Sequence, residues 1–209
     1  MSSQAENTIA RVPKRARGKQ RVAQLLQAAA AVFAEKGFDA ATMTEIAARA
    51  GAPIGSLYQF FPAKEALADT LLREYAALLA ADLQQLEARA AGISTTVLIE
   101  ELFGLLRAHP VERAVMVPLA EARMDEPTRR ATFRQMVRRH VAAILRAFSP
   151  GLPATTAADM AVLLLQLMKA ASALIDEEDL PGRTARVREL AGLGAQYVDQ
   201  RLENRRTRR

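Results

Sequence analysis

The segment TMTEIAARAGAPIGSLYQFF, residues 42–61, decides the fold. Thr42 followed by Glu45 has the spacing of a capping box, which opens a short helix over Met43–Ala50. Two short helices that cross at a wide angle need a small residue where they approach, and Ala47 supplies it. The turn between them needs a residue that accepts positive φ, and Gly51 stands four positions on. Pro53 suits the first turn of a second helix, running to about Phe61, because its missing N–H is not needed there. Leu57 is the apolar residue that locks this helix onto the first, whose inner face is completed by Ile46 and Ala50. Small residue, glycine and apolar residue at these intervals form the pattern of a DNA-reading helix-turn-helix.

Working outward, Val22, Leu25, Leu26, Ala29 and Phe33 recur on one face of a helix over Lys19–Lys36. Gly37 offers the left-handed stop, with Phe38 placed to pack back on the last turn. Pro62 ends the second short helix, and Lys64 opens a longer one to about Arg89. Breakers then delimit helices over Ile93–Ala108, Val111–Arg123, Pro127–Phe148, Thr156–Ile175 and Arg183–Leu202, with Pro118 inside the second of these. No alternating β-branched run or hairpin dipeptide is present. The expectation is an all-α chain of about nine helices. A mobile basic arm (1–18) precedes a three-helix helix-turn-helix domain (19–65), a larger C-terminal helical bundle for ligand binding and dimerisation (66–203) and a basic tail (204–209).

Composition narrows the function. The chain has 209 residues, half of them hydrophobic and a quarter charged, as in ordinary globular proteins. It has no cysteine, so disulfides, thiolate nucleophiles and cysteine-held metals are excluded. His109 and His140 have no metal-binding spacing, and there is no Gly-rich phosphate loop or Ser–His arrangement. The expectation is a chain that is not an enzyme and needs no cofactor. The most apolar run, Met160–Met168, is short and flanked by Asp159 and Lys169, and the N-terminus has no apolar leader. A cytoplasmic protein without a membrane partner is expected. Net charge is +6, and the cations concentrate at the ends. Residues 1–68 hold nine basic and five acidic groups, and residues 201–209 hold five arginines against Glu203. Such a distribution suits a polyanion partner, and equally suits solubility alone.

The stretches FAEKGFDAATMTEIAARA (33–50) and GAPIGSLYQFFPAKEAL (51–67) resemble the tetracycline-repressor (TetR) family of bacterial transcription regulators. That resemblance implies a homodimer on a palindromic double-stranded operator, released when a small molecule enters the C-terminal domain. Carried over by position, Thr42 and Thr44 would lie near phosphates, with Thr44 reaching toward a base. Pro53, Ile54, Gly55 and Ser56 would enter the major groove. Tyr58 would give its hydroxyl to a phosphate, Gln59 would touch a phosphate or a base, and Lys64 would meet the backbone. Ile54 departs from the polar residue that many members carry. Arg17 and Lys19, with Lys14 and Arg15, would reach phosphates or the minor groove from the arm.

The 156–175 segment is apolar nearly all round and so must be covered on more than one side. A dimer interface is expected through Leu164, Met168, Leu190, Leu193, Gly194 and Tyr197. For an apolar or amphipathic effector the candidate lining is Phe103, Met116, Pro118, Phe133, Met136, His140 and Met168, with core packing the commoner role for each. Arg130, Arg134 and Arg138 form a basic stripe that reads as a solvated face. A helical adaptor, or a regulator with no small-molecule ligand, is the alternative.

Overall fold

The computed structural model describes residues 16–123, 127–177 and 179–206. Lys14 and Arg15 of the expected arm, Met124, and the tail beyond residue 206 lie outside the described residues. Nine α-helices are present among those described: α1 Ala16–Ala40, α2 Met43–Arg49, α3 Ile54–Phe60, α4 Lys64–Arg89, α5 Thr95–Gly104, α6 Pro110–Arg123, α7 Pro127–Phe148, α8 Ala154–Asp176 and α9 Arg183–Arg206. No strand occurs among them.

Local chemistry accounts for the boundaries. α1 is broken at Gly37, whose φ of 76° and ψ of 169° lie outside helical space. Phe38 turns back so that its ring centroid lies 5.6 Å from that of Phe33. α1 begins at Ala16, earlier than expected, so Arg17 and Lys19 are helical and exposed rather than part of an arm. α5 starts at Thr95 because Ser94 caps it, its hydroxyl accepting from the Val97 N–H at 3.2 Å. It ends early, at Gly104, and a 3₁₀ turn over Leu105–Arg107 follows. His109 then takes the left-handed φ of 53°, and Pro110 opens α6.

The chain forms two compact units. One comprises the described residues of Met1–Ala77 and His109–Arg129, the other those of Leu78–Ala108 and Arg130–Arg209. In the first, Leu25, Phe33, Ile46, Leu57, Phe61 and Leu67 share a core with Met116 and Leu119 of α6. The expected division after residue 65 kept α6 out of this unit. Its apolar face instead covers α1, because Met116 and Leu119 are three apart and so share one side of the helix. In the second unit, Leu98, Leu102, Phe103, Ile144, Leu164 and Val198 belong to a core in which α8 and α5 each pack on α9.

α8 stands out in hydropathy. It is long and apolar enough to cross a membrane by length and composition alone, with a mean hydropathy of 1.6 over its most apolar window. The helix runs beyond the apolar Met160–Met168 stretch on both sides, with Asp159 and Lys169 inside it.

Candidate nucleic-acid interface

The helix-turn-helix is built from its cap inward. The Glu45 N–H donates to Thr42 Oγ1 at 3.3 Å, and the Thr42 N–H donates to Glu45 Oε2 at 3.1 Å, closing the capping box. The Thr42 hydroxyl also donates to Glu45 Oε2 at 2.9 Å, so Thr42 serves the cap. Two ion pairs tie α2 to α1. Lys36 meets Glu45, and Arg49 grips Glu35 through both guanidinium nitrogens. The bond from Arg49 lowers the Glu35 pKa, and those from Lys36 and Thr42 lower that of Glu45. Arg49, the cation nearest the turn, is thereby committed to the fold.

Gly51 makes the turn with φ of 57°, and the Ala52 N–H reaches back to the Ala47 carbonyl at 3.0 Å. Ile46 and Ala47 are buried on α2, and Leu57 is fully buried on α3. With Leu57 fixed inward, the 100° step of the helix decides what faces out. Gly55 and Gln59 fall opposite Leu57 and are exposed. Ile54 and Tyr58, four apart, share one shoulder and are 40% and 52% exposed. Ser56 lies on the other shoulder, half-buried, while Pro53 and Thr44 are exposed. A Cβ added at Gly55 would meet nothing within 4 Å, so the backbone itself is accessible there.

Lys64 is engaged within its own domain. Its ammonium donates to the Phe38, Asp39 and Ala41 carbonyls at 2.9, 2.8 and 3.3 Å, and lies 4.7 Å from the Phe38 ring centroid. Each of these contacts lies within the domain itself. Lys64 closes the loop between α1 and α2 by satisfying carbonyls that the break at Gly37 leaves without helical partners.

Sequence reasoning missed an open groove of about 380 Å³ between α1 and α4. Val22, Ala23, Leu26, Ala30 and Leu71 form its apolar walls, with Lys19, Gln27 and Glu74 among its lining. Burial raises the Glu74 pKa, partly opposed by Arg73. Val22 and Leu26 belong to the α1 stripe, but Ala23 and Ala30 lie beside it, and α4 adds Leu71 and Glu74.

Residues 25–71 match the family of bacterial regulatory proteins described as the tetR family. The chain carries a TetR-family DNA-binding domain. It is 44% identical over 87 residues to the HTH-type transcriptional repressor KstR2 of Mycobacterium tuberculosis (strain CDC 1551 / Oshkosh), a match covering 41% of this chain and 40% of that protein. The chain thus aligns with well under half the length of that relative. Similarity to solved structures runs further. Salmonella enterica GusR superposes with a TM-score of 0.66 at 20% identity, over 86% of this chain and 93% of that one. A gamma-butyrolactone receptor described as ArpA-like gives 0.51 at 27% identity, over 88% and 100%. The likeness in fold therefore extends beyond the matched N-terminal domain.

The other candidate residues divide between the units. Met116 is buried in the core of the first, and Pro118 lies on the same helix, so neither joins Phe103, Phe133, Met136, His140 and Met168 in the second. Phe103 and Met168 are core residues there, while Phe133, Met136 and His140 are half-buried. Of the expected dimer residues, Leu164 and Gly194 are buried within their own chain. A Cβ on Gly194 would lie 3.3 Å from Ile99 and 3.4 Å from Leu164. Met168 is also buried, and Leu190 and Tyr197 are half-buried. Leu193 is 53% exposed and is joined by Val162 and Leu163, which the sequence reading passed over. Among the described residues no cluster of carboxylates or histidines could hold a metal.

Proposed function

We propose that the chain is a dimeric repressor that holds a palindromic operator through α3 and leaves it when a small apolar or amphipathic molecule binds the second unit. The observation that carries the DNA-reading role is the register of α3. Leu57 is wholly buried, so the Gly55–Gln59 ridge and the Ile54–Tyr58 shoulder stand free in a helix-turn-helix of the family. Thr44 and Pro53 flank that surface, and Ser56 borders it. Arg17 and Lys19, exposed at the start of α1, add charge without sequence preference.

The dimer is supported by α8, which buries 28% of its most apolar window in its own chain. Leu163 and Leu193 would each be covered by a second copy. That arrangement also places the apolar helix in a cytoplasmic protein without a membrane. Effector binding is supported by the gamma-butyrolactone receptor among its structural relatives. Phe133, Met136 and His140, half-buried on α7, are the side chains with surface left to give a ligand.

Titration of a selected duplex and a scrambled one, across salt concentrations, tests the DNA reading. Tyr58→Phe keeps the ring and removes one hydroxyl. It should weaken both duplexes by about 1 kcal/mol without lowering the melting temperature. Unchanged affinity on both, with the variant folded, would remove the Tyr58 hydroxyl from the interface. Binding with no preference for any sequence would overturn the repressor reading itself.

A further inference from the structure

The exposed isoleucine at the start of α3 has a use that the fold does not supply. Ile54 keeps 40% of its surface in solvent, although the core beneath the helix is closed by Leu57 and Phe61, which are 0% and 1% exposed. A β-branched residue is no better a helix former than several polar ones, so propensity does not select it there. It has no donor and cannot hold a phosphate. Its surroundings are those of a reading surface: Tyr58 lies on the same shoulder, and Gly55, beside it, leaves the backbone open to close approach. Among the features that bases present in the major groove, one is apolar, the C5 methyl of thymine; the minor groove offers none.

We propose that Ile54 is a specificity-determining residue that reads a thymine methyl in the operator. The inference rests on the DNA-reading role of α3 and deepens it. Ile54 sets the identity of one base pair by excluding water between its side chain and that methyl, while Tyr58, one turn on, serves affinity. Uracil, which differs from thymine by that methyl alone, is therefore rejected. A cytosine methylated at C5 carries the same group and is the other base able to make this contact.

The test begins with duplexes that the full chain enriches from a random-sequence library. Each thymine of the enriched site is then replaced in turn by uracil, which keeps the base pairing and deletes one methyl. At one position per half-site, uracil should weaken the wild-type protein about fourfold, the equivalent of one buried methylene-sized group. In Ile54→Ala that step should vanish, with any other thymine-to-uracil effects unchanged. Ile54→Val, which keeps a branched apolar surface, should retain most of it. Thermal melts of both variants should match the wild type, because the side chain is exposed. Wild-type indifference to uracil at every position overturns the proposal, as does an undiminished uracil step in Ile54→Ala. If no sequence is enriched, the DNA-reading role and this inference fall together. A well-defined site without uracil sensitivity removes the inference alone.

Discussion

The helix-turn-helix and the α8 helix treat exposure in opposite ways. On α3, seven residues long, one side chain is fully buried and the outward ridge is Gly55 and Gln59, a glycine and an amide. On α8, of 23 residues, Ala157, Met160, Ala161, Leu164, Met168 and Ala171 are buried, yet Val162 and Leu163 are left in solvent. Apart from Ile54, the short helix exposes mainly groups that water satisfies, so most of its surface can wait for a charged partner that comes and goes. The long one exposes aliphatic surface that water does not satisfy, which fits a partner that stays. On the proposed function, recognition and assembly would fall to different units, by the chemistry of what each leaves uncovered.

The sharpest way to break this contrast is a pair of adjacent substitutions. Leu164→Glu would place a carboxylate where the chain is closed, with no cation among the core residues around it, and should cost several kcal/mol and unfold the second unit. Leu163→Glu or Leu193→Glu would put the same charge on exposed positions. These variants should stay folded by circular dichroism and sediment as monomers. Folded dimers from both would place the lasting contact elsewhere.

In the first unit the corresponding prediction is smaller. Leu57→Ala should cost about 2–5 kcal/mol by leaving a cavity under α3. Chemical denaturation should show this, and DNA affinity should recover wherever the domain remains folded. A loss of binding larger than the unfolded fraction explains would mean that Leu57 does more than hold the helix.

The weakest effect separates two kinds of carboxylate within that unit. Glu35 and Glu45 have pKa values lowered by Arg49 and Lys36. Their contribution is complete above the unfolded carboxylate pKa and is lost as pH falls through the lower folded values. Glu74 has the opposite sign. Its pKa is raised by burial, so its charged form opposes folding at neutral pH, and protonation through the raised value relieves this. Glu74→Gln should therefore raise stability at neutral pH and change it little in acid. Arg49→Gln should lower stability at neutral pH and flatten the acid limb. Urea titrations across pH distinguish the two.

Much of this was legible from spacing. The cap at Thr42, the stop at Gly37, the turn at Gly51 and the inward Leu57 are local, each determined within a few residues of chain, and the sequence shows them directly. The carbonyl seat of Lys64 was not legible because its partners, Phe38, Asp39 and Ala41, lie more than twenty residues away, and no local pattern encodes such a contact. Leu164 was misplaced for another reason. In a helix apolar nearly all round, periodicity cannot choose a face, and Leu163 and Leu164 differ only in what α5 and α9 cover. The place of α6 was hidden too, since its amphipathic stripe records a buried side and not which core receives it.

The three-carbonyl seat of Lys64 also has a consequence for chemical labelling. An acylating reagent must displace the contacts an amine already makes, and the Lys64 side chain is engaged by three backbone carbonyls. Lys19 and Lys36 stand exposed on the same unit and would be modified first. Adduct formation at Lys64 would lag behind them, and its rate would count how often the loop between α1 and α2 opens. That makes Lys64 a built-in clock for the breathing of the DNA-binding domain.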